Sequence, residues 1–249
     1  MYGNAPLVDA KAGYRSGHQK RKGVANARGG QKSGHQRRTT SKDVCVCSKA
    51  RVSKGEIMAK TLEYWFTCGS TYNYLTVNRI EAAAAASGVE LVLRPFYLGQ
   101  IFREAGFWPF HANTPKMDYM WHDIGRTAQG MGLSPNLPAP YPCPETDLAN
   151  RIALVTIQKG LGLAWVKASY RAWFEDSLHA GGADNIAASL GSLGLDVDDT
   201  LAATAAADTD LQAYTERAKE LRIFGAPTFV VGEELYWGND RLEQAMAAT

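Results

Sequence analysis

The chain has 249 residues, 27 of them Lys or Arg and 25 Asp or Glu, with 45% hydrophobic residues, enough to bury a sizeable core. No apolar stretch is long enough for a helical membrane span, and four cysteines do not make a disulfide framework. The near-neutral balance of +2 conceals two unlike pieces: residues 1–57 hold 13 Lys and Arg against three Asp and Glu, and residues 58–249 hold 14 against 22.

The first piece is rich in Gly, Ser, Lys and Arg, lacks apolar periodicity and repeats Ser-Gly-His-Gln at 16–19 and 33–36. It is expected to be a disordered basic tail. No aromatic interleaving or binding motif accompanies its charge, so nucleic acid is not the expected partner. A transit peptide fits the composition but not the missing amphipathic face. Lys54-Gly55-Glu56 lies just ahead of Met58, and its codons can spell a purine-rich ribosome-binding tract. Residues 1–57 are therefore expected to be untranslated, with Met58 as the true start. Cys45-Val46-Cys47 falls in this tail and makes a weak metal motif, so no metal is expected. Cys68 and Cys143 read as reduced thiols of a cytoplasmic protein.

Leu62–Phe66 reads as a first strand, followed by a helix over 71–87 that Gly88 ends. Val89–Pro95 is nearly continuous in apolar residues, as in a buried parallel strand. Met117, Met120, Trp121, Ile124, Ala128 and Met131 step by three and four along one helical stripe. A Pro-rich loop over 135–144 follows. Further helices are expected from Leu148, over 163–178 (with Trp165, Tyr170 and Trp173), over 185–193, 199–206 and 210–221. After Pro227 come a strand, a turn at Gly232-Glu233-Glu234, a strand at Leu235–Trp237 and a last helix from Asp240. The order is βαβ, helices, ββα. The expected fold is α/β and thioredoxin-like, with an all-helical insertion: 58–98 and 207–249 form the thioredoxin-like domain and 99–206 the insertion.

In that fold the turn after the first strand meets the X-Pro ahead of the third. Here Ser70-Thr71-Tyr72-Asn73 stands where a redox protein carries Cys-x-x-Cys, and Ala226-Pro227 supplies the X-Pro. Ser70 is either a helix N-cap or, in the same place, the donor that steadies a thiolate beside a positive helix start. A cis bond at Pro227 is expected from this context and would expose the Ala226 backbone to a peptide-like ligand.

These residues carry a resemblance. Glu63-Tyr64-Trp65-Phe66 with Gly69–Leu75, Arg94–Gly99, Pro115-Lys116 with Tyr119, Asp123 and Arg126, Phe224–Phe229 and Tyr236–Leu242 together resemble the 2-hydroxychromene-2-carboxylate isomerases. Those enzymes are relatives of kappa-class glutathione transferases within the DsbA-like group. The resemblance implies a glutathione-dependent isomerase of an aromatic 2-keto acid or its hemiketal. Ser70 would face the glutathione sulfur, Ala226 and Pro227 the cysteinyl part, Asn239 and Asp240 the γ-glutamyl end, and Lys116 a carboxylate. Taken alone, Asp240 reads equally as a helix cap and Lys116 as a solvated charge. The chain departs from the family in Ser70-Thr71-Tyr72, where relatives carry Ser-Pro-Tyr, and in Gly106–Phe110, which lacks an asparagine. Phe107, Trp108 and Phe110 are expected to line the substrate cleft or, failing that, the core of the insertion. Tyr72 joins them, and Arg94 is an alternative to Lys116 for the substrate carboxylate. The other readings are a kappa-like transferase or peroxidase, and a monothiol oxidoreductase using Cys68. The expected partner is a small aromatic molecule, and a homodimer is left open.

Overall fold

A computed structural model of the chain describes residues 60–111, 113–143 and 146–249. The expectations for residues 1–57 and for Met58 lie outside the described residues.

Strand β1 (Lys60–Phe66) leads through a turn to helix α1 (Asn73–Val77), helix α2 (Ile80–Ser87) and strand β2 (Val89–Pro95). The single helix expected over 71–87 is thus two. Asn78 turns its amide back onto the Tyr74 carbonyl, and Arg79 takes a non-helical backbone at the junction. Gly88 ends α2 in the left-handed conformation, φ +63°, that favours glycine.

Strand β2 pairs parallel with β1. Strands β3 (Thr228–Val231) and β4 (Glu234–Trp237) follow antiparallel, and the sheet order is β2-β1-β3-β4. A 3₁₀ turn (Asn239–Arg241) and a last helix, Leu242–Ala248, close the chain. Strand β2 is an edge strand, half-buried along most of its length, which corrects the fully buried strand expected from its composition.

Alternation along β1 sends side chains to two cores. Leu62, Tyr64 and Phe66 are fully buried on one face with Tyr74, Phe229 and Leu242. Trp65 is buried on the other with Phe96, Ala218 and Val230. Each such side chain contributes about 1.5–3 kcal/mol on burial.

Among the described residues, six helices run between β2 and β3: α3 (Leu98–Glu104), α4 (Pro115–Gly130), α5 (Thr146–Gln158), α6 (Gly162–Phe174), α7 (Ala183–Ser192) and α8 (Val197–Glu220). The last helix of the chain is α9. Helix α3 was not expected: it is one short stretch with no side-chain cap. Residues 207–209, expected to separate two helices, lie inside the 24-residue α8. A boundary at 206/207 therefore falls within a helix. The C-terminal part of α8 places Ala218 against the Trp65 face of the sheet.

Candidate active site

Ser70 lies in the turn between β1 and α1. It is not an N-cap, since α1 begins only at Asn73 and no side chain caps it. The Ser70 hydroxyl instead donates to the carbonyl oxygen of Ala226, at 2.6 Å. The Ala226–Pro227 peptide is cis, and the Pro227 carbonyl accepts from the Gly238 N–H at 2.9 Å. The two loops that the sequence places 156 residues apart therefore meet through a serine hydroxyl. With α1 only five residues long, the hydroxyl outweighs any helix-end charge as a donor here.

These loops open onto a cleft of about 920 Å³. Ser70, Tyr72, Lys116, Ala226, Pro227, Asn239 and Asp240 all line it, as do Phe107, Trp108 and Phe110. Lys116 is set by a sequence-local device. Thr114 accepts from the Met117 N–H as the cap of α4, and Pro115 occupies the first turn. The Lys116 ammonium lies 5.2 Å from the centre of the Phe110 ring. Asp240 is largely exposed and pairs with Arg241 at 2.7 Å; it does not cap α9, whose start has no side-chain cap. The Asn239 amide oxygen accepts from Arg79 Nε at 3.0 Å and from Thr76 at 3.2 Å. Its amide nitrogen is left as the group able to meet a ligand.

Arg94 does not reach the cleft. Its guanidinium donates twice to Glu63, at 2.8 and 3.0 Å, and once to the Tyr214 hydroxyl at 3.2 Å. It belongs to the other face of the sheet, so a role in holding a substrate carboxylate is withdrawn. Tyr72 donates to Asp123 at 3.1 Å, and Asp123 pairs in turn with Arg126 at 2.7 Å. Burial, then the neighbouring carboxylate, raises the Tyr72 hydroxyl well above its ordinary range and keeps it protonated.

Cys68 is buried among the core side chains, and burial pushes its thiol up to about 12. A thiolate is thereby disfavoured. Cys143 borders the cleft half-buried, and burial pushes it up to about 12 as well. Among the described residues no three His, Cys, Asp or Glu side chains gather as a metal site.

Beyond the expected Phe107 and Trp108, Tyr119, Phe224 and Trp237 went unread as residues of the site. Phe107, Trp108, Tyr119, Phe224 and Trp237 are the large apolar side chains exposed among the described residues, and all five line this cleft. Phe224 and Trp237 meet edge to face at 4.8 Å across the Pro227 loop. A Cβ on Gly225 would come within 2.4 Å of the Trp237 indole nitrogen, so a larger residue there would displace that indole. Phe102 takes Phe107 and Trp108 edge-on from the other side, at 6.0 and 5.7 Å. An exposed apolar cluster of this kind marks a binding surface. Only the adjacency of Phe224 to the Gly-Ala-Pro loop gave a local signal for it.

The model of the DSBA-like thioredoxin domain matches residues 61–248. Over 190 residues the chain is 25% identical to a 2-hydroxychromene-2-carboxylate isomerase of Sphingobium xenophagum, covering 75% of this chain and 96% of that one. Among solved structures, a 2-hydroxychromene-2-carboxylate isomerase superposes with a TM-score of 0.66 at 24% identity, covering 76% of this chain and 93% of the other. The cytosolic disulfide reductase DsbM from Pseudomonas aeruginosa, solved with GSH (glutathione), shares the fold at a TM-score of 0.52 and 19% identity, covering 76% and 95%. The fold, the cis-Pro loop facing the first turn and the matched span agree: the chain belongs to the family of DSBA-like thioredoxin domains.

Proposed function

We propose that the cleft binds glutathione and an aromatic 2-keto acid or its hemiketal, and that the protein is an isomerase of the 2-hydroxychromene-2-carboxylate type. The observation that carries this reading is the Ser70 hydroxyl on the Ala226 carbonyl beside a cis proline, at the foot of an aromatic-walled cleft. The relatives' names support the reaction, and the neighbour solved with glutathione supports the ligand.

Glutathione would supply a thiolate that adds reversibly to the conjugated side chain, allows rotation about the former double bond and leaves unchanged. The chain's own residues fit such a ligand. Turning the Ser70 hydroxyl from Ala226 to the sulfur gives the anion a donor, and it frees the Ala226 carbonyl to accept an amide N–H of a peptide-like ligand. One hydrogen bond is exchanged for two, one of them to a charge and so the stronger. Asp240 is the anion for an α-ammonium group, with the Asn239 amide beside it. Lys116 offers its donors to a carboxylate, and Phe107, Trp108 and Phe110 offer a stacking wall. Redox chemistry through Cys68 is disfavoured by its burial. Both described cysteines are free thiols, in keeping with the cytoplasmic setting we propose.

The test is the conversion of 2-hydroxychromene-2-carboxylate by desalted protein with and without added glutathione. Turnover that depends on glutathione and leaves it unconsumed supports the reading. Accumulation of a stable thioether would make the protein a transferase, and full activity without glutathione would refute the role of the cofactor.

A further inference from the structure

Two buried side chains from the helical insertion grip the turn that carries Ser70. Tyr170, on α6, is 1% exposed, and its hydroxyl lies 2.8 Å from the carbonyl oxygens of both Thr67 and Ser70. Asn150, on α5, is fully buried; it accepts from the Cys68 N–H at 2.8 Å and donates to the Thr67 hydroxyl at 2.9 Å and the Phe96 carbonyl at 3.2 Å. The turn is thus held from beneath at 67, 68 and 70, while the Ser70 hydroxyl points the other way, onto Ala226.

We infer that Tyr170 is a positioning residue for the Ser70 hydroxyl, an inference that rests on the glutathione reading for its chemical consequence. The Tyr170 hydroxyl is not needed to satisfy the carbonyls it binds. Thr67 also accepts from the Ser70 N–H at 3.2 Å and the Asn73 amide at 3.0 Å, and Ser70 also accepts from the Asn73 N–H at 3.2 Å. What the phenol adds is a fixed link between the two ends of the turn and the body of the insertion. A serine donor works only when held within about 0.5 Å of its productive place. Removing the link should leave the fold standing and let the serine wander. Burial keeps the phenol protonated, as a donor must be.

The experiment follows the thiolate absorbance of glutathione bound to the full chain as pH is varied. Wild type, Tyr170→Phe, Ser70→Ala and the double variant are compared. Tyr170→Phe is expected to raise the pH midpoint of the bound thiol by about half a unit, roughly a threefold loss of thiolate below it. The same change added to Ser70→Ala is expected to do nothing further. An unchanged midpoint in Tyr170→Phe, or an equal shift with and without Ser70, overturns the inference. Should Tyr170→Phe fail to fold, Tyr170→3-fluorotyrosine keeps the frame with a stronger donor; a midpoint below wild type supports positioning, and one at or above it overturns it. If wild type does not bind glutathione, the glutathione reading fails by itself. Amide hydrogen exchange then judges the grip: faster exchange in Tyr170→Phe confined to 67–73 supports it, and unchanged exchange there overturns it.

Discussion

Replacing Ser70 by alanine removes one hydroxyl with two consequences of different size. In the ligand-free protein it deletes the 2.6 Å bond to the Ala226 carbonyl, a neutral hydrogen bond worth about 0.5–1.5 kcal/mol. For a folded part of this size that lowers the melting temperature by about 2–4 °C per kcal/mol. With glutathione bound, the hydroxyl would donate to a thiolate instead, worth about 1.5–3 kcal/mol. Wild type must give up the Ala226 bond to do so. The difference spans about 0–2.5 kcal/mol and is centred near 1 kcal/mol; the middle of that range, about 0.5–2 kcal/mol, takes about 0.4–1.5 units off a thiol pKa of ~8.5. Because the anion is the stabilised form, activity is present above the lowered midpoint and lost as pH falls through it. Ser70→Ala should thus lose about 3- to 30-fold in turnover near pH 6.5 and converge on wild type above pH 9. The assay is the pH–rate profile with saturating glutathione, alongside a melting curve. A profile parallel to wild type at every pH would refute the reasoning, since a uniform loss is not a shift in thiolate population.

Trp108→Ala should weaken substrate binding about 5- to 30-fold, from the loss of one aromatic contact surface, while shifting the melting temperature by less than 2 °C; a destabilised protein with normal KM would place Trp108 in the core instead. Asp240→Ala should weaken glutathione binding measured by calorimetry, with stability changed by less than about 0.5 kcal/mol because the Arg241 pair is exposed. Arg94→Ala should do the reverse, costing about 1–2 kcal/mol in urea unfolding through its bonds to Glu63 and Tyr214 and leaving substrate KM unchanged. Cys68 is held protonated in the fold up to about 12, against an ordinary value of 9.0. Above pH 9 the unfolded chain alone releases that proton, so stability falls as pH rises. Cys68→Ala should flatten the fall in melting temperature between pH 8 and 10.5 while retaining catalytic activity; loss of activity would revive the monothiol reading.

The parts of the fold that were legible are those written locally. The apolar run of β1, the Gly88 stop, the stripe from Met117 to Met131 in α4 and the Ala226-Pro227 loop each state their geometry within a few residues. The break between α1 and α2 was hidden by the alanines of 82–86. Arg79 leaves the helical path to reach Asn239 and Glu243, a contact that no window of sequence contains. The break expected over 207–209 does not form: Ala207 is buried and the exposed Asp208 and Thr209 continue α8 on its solvent side. Within the site, Ser70 and Ala226 were legible because each closes a strand-linked turn. Arg94 misled because a cation in a motif looks available, whereas Glu63 claims it across the β1–β2 pair. Tyr170 and Asn150 were out of reach, being ordinary residues of amphipathic helices until folding sets them beneath Ser70.

The measurement closest to the central claim is a calorimetric titration of the full chain with glutathione at neutral pH, repeated with Ser70→Ala and read together with the absorbance of the bound thiol. The account expects saturable binding to both proteins and a thiol midpoint below the free value only where Ser70 is present. Absence of binding to wild type, or a bound thiol that titrates like the free one, would contradict it.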